Sequence, residues 1–545
     1  MLLAGVGSGI ISAYIVITTY SPVPHWDEWS LFDHLADGNG WSLPWLWAQH
    51  NEHRILTTRL LFLLDVELFH GTQIFLLASI FLTQLLQVSL LSWSLHKLGG
   101  IRRSAWRVGT GLIAYCILCP TQYENLVWGF QVQFVLSAAM ATLAFLALML
   151  HWREERAWLL ATSMAAATIA TWSLANGMLL WPLLLLAALL IGLKRRVFIG
   201  LSACGAINIT LFFYRYHFPP HDDAQPYLPL GQRILYVPIY FGSTFVRHSI
   251  GPVAIIAGLL GIVASLAIIL HALRQRKNAS PFQLEMSLVM MMCLATAAAT
   301  STGRMHLGLQ QATASRYQTF ALLFWCCLGL TLLVRLASNS TRFVAFASGL
   351  MLVMLGFASQ ARKPLMDAQE HQLRLRITEI ALLAGARDPV VLINAYPDPQ
   401  VVVRGAEYMK QHRLSIFHGK EYEQLGQHID SEYRVFPSAA CSGYLTSKQP
   451  SPGESSEILR FTGFAWDQER KRPARDVVVT VDGQIRGFGT NVTVPLRLRN
   501  AQPDADPALF GWVAYVDQVR PGSVVHFYAV VGESDAVCPF AGISP

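Results

Sequence analysis

Long apolar runs alternate with short polar connections over the first 360 residues of the chain. Eleven apolar windows are long enough, or nearly so, to form helices that cross a bilayer. The windows lie near residues 3–20, 73–95, 106–119, 132–150, 158–174, 177–193, 197–213, 251–271, 282–300, 319–335 and 343–359. The pattern therefore predicts a polytopic α-helical membrane domain of about eleven spans at 1–360.

The remaining residues lack such long apolar runs and instead show the apolar patterns of shorter helices and strands. Helical patterns at 370–384 and 401–412 flank an apolar run at 390–393 that is typical of a buried strand, which predicts an α/β connector at 361–435. Beyond it, β-branched and aromatic residues alternate between turn signals, which predicts a β-sandwich at 436–545. The predicted strands lie near 458–464, 476–481, 491–494, 511–515 and 524–529.

Composition and charge agree with a membrane protein. Hydrophobic residues make up 53% of the chain and charged residues only 14%, compared with roughly 25% charged in soluble proteins. The net charge of +7 comes mainly from Lys and Arg in short loops, which is a topology signal. We therefore expect no nucleic-acid partner. Residues 1–20 lack a basic leader and a small-residue cleavage site, so they are expected to stay attached as a signal anchor.

The short basic loops belong on the cytoplasmic side by the positive-inside rule. An odd number of spans then places the C-terminal domain outside the cytoplasm. Cys441 and Cys538 are the two cysteines of this domain, and a disulfide between them suits an oxidising compartment. Two buried thiols are the alternative.

The first outward loop opens with Trp26, Asp27 and Glu28 directly after the first span. Indoles stack on sugars or lipid headgroups, and a carboxylate can act as a general base or hold a divalent cation. An interfacial tryptophan belt with solvated acids is the alternative. The same loop continues with His50, Glu52, His53 and Arg54, which we expect to bind substrate, although a solvated juxtamembrane helix would have the same composition.

Two later outward loops hold further candidates. Glu124 and Trp128 are four residues apart and could share a helix face with Asn125 between them, which would set an acid beside an aromatic platform. A capping role for Glu124 is the alternative. Arg304 and Arg316, the latter followed by Tyr317, begin or end apolar runs, where a guanidinium usually pairs with a carboxylate or a phosphate. Snorkelling to the interface is the alternative for both arginines.

One span, an outward loop with Asp27-Glu28, many further spans and an outward C-terminal domain together resemble the GT-C glycosyltransferases that use polyprenyl-phosphate sugars. The layout looks closest to bacterial arabinosyltransferases and to the transferases that modify lipid A or pilin. The resemblance implies that Asp27 deprotonates the acceptor hydroxyl, that Glu28 orients it or binds a cation, and that Arg304 and Arg316 hold the lipid phosphate. A divalent cation, Mg²⁺ or Mn²⁺ held by Asp27 and Glu28, is the cofactor the resemblance would allow.

The expected function is transfer of a sugar from a polyprenyl-phosphate donor to an extracytoplasmic glycan, lipid or protein. The expected location is the bacterial inner membrane, with the C-terminal domain in the periplasm. Two rivals remain open: a transporter or flippase of lipid-linked sugars, and a non-catalytic scaffold that binds glycan. The segment with Phe464 and Trp466, together with Trp512, could supply a sugar-binding face, with core packing as the commoner role of such aromatics.

Overall fold

The structure, a computed structural model, is mostly helical, with 67% of its residues in helices and a C-terminal β-sheet domain. It describes residues 1–38, 40, 42–218, 229–246, 250–275, 280–358, 362–452, 458–492, 511–532 and 535–543. The chain divides into two compact units. The helical unit comprises Met1–Thr19, Ser42–Phe62 and Leu76–Ala368, and the β unit comprises Tyr20–Trp41, Leu63–Phe75 and Gln369–Pro545.

All eleven predicted windows coincide with helices, and further helices form in the polar connections between them. The helices of the described residues are α1 (Leu2–Thr18), α2 (Asp27–Ala36), α3 (Leu43–Trp47), α4 (Leu56–Phe69), α5 (Ile74–Leu98), α6 (Arg103–Ile117), α7 (Tyr123–Val127), α8 (Val132–Glu154), α9 (Ala157–Thr171), α10 (Leu180–Ile191), α11 (Arg195–Phe213), α12 (Leu230–Gly242), α13 (Pro252–Gln275), α14 (Pro281–Arg304), α15 (Gln318–Leu336), α16 (Ser340–Ala358), α17 (Arg362–Leu383), α18 (Pro389–Leu392), α19 (Pro399–His412), α20 (Lys420–Gln424) and α21 (Ile429–Glu432). Short 3₁₀ segments precede α7, α8, α10 and α15.

Six helices in the described part of the chain are long and apolar enough to cross a membrane: Ile74–Leu98, Gly129–Glu154, Arg195–Phe213, Pro252–Gln275, Pro281–Arg304 and Ser315–Leu336. Four shorter apolar helices occupy Leu2–Thr18, Ala157–Thr171, Ala175–Ile191 and Ser340–Gly356. The chain is thus a membrane protein by the length and apolarity of its helices, and the count of eleven spans stays a prediction.

Helix α8 is the centre of the helical unit. Its apolar window is 83% buried, whereas those of α11 and α13 are 28% and 33% buried. A helix that is apolar on all sides and enclosed by protein acts as the core of a bundle, and the more exposed helices present their apolar faces outward. The exposed side chains of α13, which include Val253, Leu260 and Val263, suit contact with lipid.

Small residues bring α1 and α6 together. A Cβ atom added to Gly5 would lie 2.7 Å from the carbonyl oxygen of Gly111, so the two backbones are in direct contact. Ser8 Oγ and Ser12 Oγ donate hydrogen bonds to the Leu118 carbonyl oxygen at 3.1 and 2.7 Å. Close approach through small residues with hydroxyl hydrogen bonds is the usual way in which helices associate in a bilayer.

We expect Gly5→Ala to destabilise the helical unit, because its methyl group would overlap the α6 backbone. Overpacking of this kind costs about 1–3 kcal/mol. Gly7→Ala is the matched control on the same helix, since a Cβ at Gly7 meets nothing within 4 Å. Thermal unfolding of the purified protein in nanodiscs should show a lower midpoint for Gly5→Ala alone. Equal midpoints for the two variants would contradict the close α1–α6 packing.

The β unit begins with α2 packed on α19. A Cβ at Gly405 would lie 3.0 Å from the Trp29 ring and 3.3 Å from the Phe32 Cβ, so glycine allows the two helices to approach. Arg404 adds a bidentate ion pair to Asp33, with Nε–Oδ1 and Nη2–Oδ2 distances of 2.7 and 3.1 Å. The structure therefore assigns the segment after the first span to the β unit, whereas the sequence placed all of 1–360 in one domain.

The connector is helical, and the predicted strand at 390–393 is wrong. These residues form α18, where Pro389 is the first helical residue and the Asp388 carboxylate accepts a hydrogen bond from Val390 N at 3.1 Å. A short apolar run does not distinguish a buried strand from a buried helical turn, and here the N-cap and the proline decide. The predicted helices at 370–384 and 401–412 are confirmed as α17 and α19.

The C-terminal strands form one curled sheet, whereas the sequence predicted a sandwich of two. In addition to the hairpin β1 (Gln49–His50) and β2 (His53–Arg54) of the helical unit, the described strands are β3 (Arg434–Val435), β4 (Cys441–Pro450), β5 (Leu459–Asp467), β6 (Arg472–Pro473), β7 (Asp476–Val481), β8 (Gln484–Asn491), β9 (Trp512–Val516), β10 (Val525–Val530) and β11 (Ala536–Ile543). Their order is β3-β11-β10-β7-β8-β9-β5-β4, with β6 paired to β5. The alternation correctly predicted a buried face, but it does not specify which strands close around it.

Aromatic side chains fill the interior of this sheet. Trp512 is 1% exposed, and its ring lies 5.5 Å from that of Phe527, which in turn lies 5.1 Å from Phe461. Core packing is therefore the role of Trp512. Phe464 and Trp466 are only partly buried on the other face, where Phe464 stacks with both Tyr444 and Trp466. Half of the predicted strand at 491–494, residues 493 and 494, lies outside the described residues.

The structure joins Cys441 and Cys538, as predicted, with their Cα atoms 6.1 Å apart. The disulfide connects β4 to β11, near the two ends of the strand order, so it closes the curled sheet. The linked cysteines are 97 residues apart. A crosslink that closes so long a loop restricts the unfolded chain strongly.

Replacement of both cysteines by serine should lower the free energy of unfolding of the β unit by about 2–5 kcal/mol. Thermal unfolding of the oxidised protein, the reduced protein and the double variant measures this difference. Reduction should shift the wild type to the midpoint of the variant and should leave the variant unchanged. An identical midpoint for oxidised wild type and variant would contradict a structural disulfide.

Candidate functional site

The sequence-predicted site residues fall in both units, and each unit is described separately. The helical unit holds the hairpin β1–β2, the ends of α14 and α15 and the loop helices α7 and α12. The β unit holds Trp26, Asp27 and Glu28 at the start of α2.

The β1–β2 hairpin is anchored by arginine. Asn51 turns the chain with a φ of 49°, and the Arg54 guanidinium donates to three backbone carbonyl oxygens. These belong to Phe212, Trp47 and Tyr214, at 2.6, 2.6 and 2.5 Å. Each guanidinium nitrogen of Arg54 is engaged and the residue is 3% exposed, so its predicted role in substrate binding is corrected to a structural one.

Glu52 holds Arg304 at the C-terminal end of α14. Its Oε1 atom lies 2.5 Å from Arg304 Nη2 and 3.5 Å from His53 Nε2. His53 Nδ1 lies 3.3 Å from Ala175 N, which leaves Nε2 facing Glu52. Burial opposes ionisation of Glu52, but the charges of His53 and Arg304 outweigh it and hold its pKa below the usual value. The three predicted residues thus form one polar cluster.

Arg316 lies near the same end of the bundle, beside two phenols. Its guanidinium carbon is 5.6 Å from the centre of the Tyr317 ring, which stacks on Tyr240 at 5.5 Å. Burial raises the pKa of Tyr236 and the neighbouring Tyr317 adds to the rise, while the charges of Arg316 and Arg304 oppose it. Both guanidinium groups therefore act on the one Tyr236 phenol. Guanidinium groups near phenol hydroxyls can bind an anion, because both supply hydrogen-bond donors.

Three other predicted residues have structural roles in the helical unit. Glu124 Oε2 accepts a hydrogen bond from Arg316 N at 2.9 Å, so the capping alternative describes it. Asn125 is fully buried and its Nδ2 donates to the Arg316 carbonyl oxygen and to Thr319 Oγ1 at 2.8 and 2.7 Å. Trp128 is 7% exposed, which corrects its prediction as an open sugar platform. Glu124 and Asn125 fix the segment that carries Arg316.

His50 does not join the Glu52 cluster in any described hydrogen bond. Its ring lies 5.3 Å from the Phe130 ring, which stacks with Trp128 at 6.0 Å. A two-residue hairpin places positions 50 and 53 opposite each other, as the pairing of His50 with His53 shows. A juxtamembrane helix was the alternative for this segment, and the structure has a strand pair in its place because Asn51 adopts the left-handed conformation.

Asp27 and Glu28 point to different environments in the β unit. Glu28 is 1% exposed, and its Oε2 accepts a hydrogen bond from His25 N at 2.8 Å. Asp27 is half-exposed. Burial is the larger cause of the raised pKa of the adjacent Tyr396, and the charge of Asp27 raises that pKa further. Neighbouring residues of a helix lie about 100° apart, so the two carboxylates do not share one chelating face.

The predicted cation at Asp27 and Glu28 does not fit this geometry. The Glu28 carboxylate supports the backbone of the turn that leads into α2. Within the residues that the structure describes, no three His, Cys, Asp or Glu side chains are grouped to hold a metal ion. Of the two roles that the resemblance implied for Glu28, its hydrogen bond to His25 N favours orientation of the Asp27 segment over cation binding.

Sequence reasoning missed several polar residues. Tyr236 and Gln311 border Arg316 and Tyr317, and Gln311 Nε2 donates to the Tyr317 hydroxyl at 3.3 Å. The spacing of Tyr236 and Tyr240 in an amphipathic stretch was a usable signal. Glu285 was hidden in an apolar run; it is fully buried and accepts a hydrogen bond from Ser94 Oγ at 2.5 Å.

Comparison with protein-family models, curated proteins and solved structures finds no significant match to this chain.

We expect the Glu52–Arg304 ion pair to make stability depend on pH. The pKa of Glu52 is lower in the folded than in the unfolded chain, so the pair stabilises above about pH 4.5 and its contribution is lost as the pH falls through the folded-state pKa. In thermal unfolding, the midpoint temperature of the wild type should lie above that of Glu52→Gln at pH 7. This difference between the two midpoints should shrink towards pH 3. The difference should also shrink when Arg304 is already glutamine. A difference independent of pH would contradict this ion pair.

Proposed function

We propose that this chain is a membrane glycosyltransferase that moves a sugar from a polyprenyl-phosphate donor to an acceptor outside the cytoplasm. Its proposed place is a bacterial inner membrane, with eleven spans in a GT-C-like arrangement and the β unit in the periplasm. The acceptor class, a glycan, lipid or protein of the cell envelope, follows from that location.

The observation that carries the proposal is the pair of arginines at the outward ends of α14 and α15. Arg304 and Arg316 both act on the Tyr236 phenol, and Glu52 holds Arg304. Cationic residues in a membrane helix bundle are functional candidates by default, and a guanidinium group is well suited to bind a phosphate. A lipid phosphate at a bilayer surface is an anion with the required charge and position, and its two arginine contacts would stabilise the phosphate as it leaves the sugar.

Asp27 is the proposed general base in the β unit. Its half-exposed carboxylate would take the proton of the acceptor hydroxyl as that oxygen bonds to the anomeric carbon. The bond between the anomeric carbon and the phosphate oxygen breaks, and polyprenyl phosphate leaves with the electron pair. Charge and atoms balance without a nucleotide or a metal.

Asp27→Asn should abolish transfer while the protein stays folded, because the amide accepts no proton. The measurement is sugar transfer from a panel of radiolabelled polyprenyl-phosphate sugars to extracted envelope glycans and lipids, with release of polyprenyl phosphate as a second readout. Asp37→Asn is the matched control, since Asp37 is an exposed carboxylate that ends the same helix. General-base loss usually costs 10²–10⁴-fold in rate.

Equal rates for Asp27→Asn and Asp37→Asn would contradict Asp27 as the base. A folded wild type that neither transfers nor releases any donor of the panel would contradict the transferase itself.

A second candidate, a transporter of lipid-linked sugars, is favoured by Glu285. An ionisable residue buried in a membrane bundle is a functional candidate by default, and Glu285 bonds only to Ser94 among the described hydrogen bonds. Transport would predict that Glu285→Gln stops movement of a fluorescent lipid-linked sugar across reconstituted vesicles, while the transferase reading predicts that the variant retains sugar transfer.

A further inference from the structure

Trp26 adopts a backbone conformation that a tryptophan rarely tolerates. Its φ is 47° and its ψ is −120°, a region that glycine enters readily and in which a Cβ atom is strained. The conformation is held on both sides. Trp26 N donates to the Ala395 carbonyl oxygen at 2.7 Å, and Glu28 Oε2 accepts from His25 N at 2.8 Å. The strain is therefore maintained by the surrounding β unit.

Core packing does not account for the indole at this position. Trp26 is 46% exposed, whereas Trp29, one turn further along α2, is fully buried. A glycine at position 26 would form the same turn without strain and without exposing a large apolar ring. Strained residues of this kind concentrate at ligand sites, where the side chain has a use that outweighs the conformational cost.

The surroundings of the indole combine polar groups with its apolar face. Asp27 follows it directly, and the half-buried Tyr396 follows Ala395, the residue that accepts the Trp26 N–H hydrogen bond. The Asp27 charge acts on the Tyr396 hydroxyl. An aromatic face bordered by a carboxylate and a phenol matches a sugar ring, which offers a C–H face for stacking and hydroxyls for hydrogen bonds.

We propose that Trp26 is the stacking platform of an acceptor-sugar subsite, with Asp27 and Tyr396 as the hydrogen-bonding groups at its edge. This inference rests on the proposed function, since it gives the acceptor hydroxyl a place beside the proposed base. It narrows the acceptor class from glycan, lipid or protein to a molecule that presents a sugar.

The test is saturation-transfer NMR of the full chain in nanodiscs with methyl glycosides of glucose, galactose, mannose and arabinose as probes. This binding readout needs neither a donor nor turnover. The wild type should transfer saturation to the C–H protons of at least one glycoside. Trp26→Gly and Trp26→Ala should lose that signal, and Trp26→Phe should retain part of it. Trp158→Ala, which removes a 57% exposed tryptophan from α9, should leave it unchanged.

Unfolding temperatures separate the indole from the fold. Trp26→Gly and Trp26→Ala both lack the ring, but only glycine relieves the strain, so Trp26→Gly should unfold about 2–4 °C above Trp26→Ala. If the indole only anchors the β unit in lipid, its loss does not affect glycoside binding, and the signal persists in folded Trp26→Gly. That result would overturn the subsite. No signal from any glycoside with wild type also overturns it. Glycoside binding without sugar transfer would support the subsite and contradict the proposed transferase function.

Discussion

A polar group enclosed in an apolar helical bundle must find its partner inside the protein, and this requirement determines how the helix ends around Arg54 and Asn125 are built. Arg54 donates to three carbonyl oxygens around the end of α11, and Asn125 ties α7 to the start of α15. Each unsatisfied backbone group would cost several kcal/mol at such a position. The hairpin and loop helices are therefore fixed in place by hydrogen bonds that the spans themselves require.

The same requirement explains why some charged residues are structural and others are candidates for chemistry. Arg54 donates its hydrogen bonds to carbonyl oxygens, and the Glu124 carboxylate accepts one from the Arg316 N–H. Arg304 and Arg316, in contrast, share one phenol, and a single carboxylate, Glu52, balances Arg304. The proposed phosphate site is therefore the part of the helical unit where two guanidinium groups act on the same buried phenol.

The helices were predictable because apolarity over a span length leaves few alternatives, so all eleven windows coincide with helices. The Cys441–Cys538 pair was also predictable, since no other cysteines lie in the C-terminal domain. The segment at 390–393 was not, because four apolar residues fit a strand or a helical turn equally well. The roles of Glu28 and Trp128 were unpredictable as well, because residue type does not reveal which side chain turns inward. The positive φ of Trp26 has no signature in the sequence at all.

The central claim is that the helical unit recognises a polyprenyl phosphate through Arg304 and Arg316. The most direct measurement is native mass spectrometry of the purified protein titrated with a polyprenyl phosphate and with the polyprenol of equal length. The account predicts that the phosphate binds more tightly than the polyprenol and that Arg304→Gln/Arg316→Gln removes the difference while the protein stays folded. Equal binding of the two lipids by wild type, or an undiminished preference in the double variant, would contradict it.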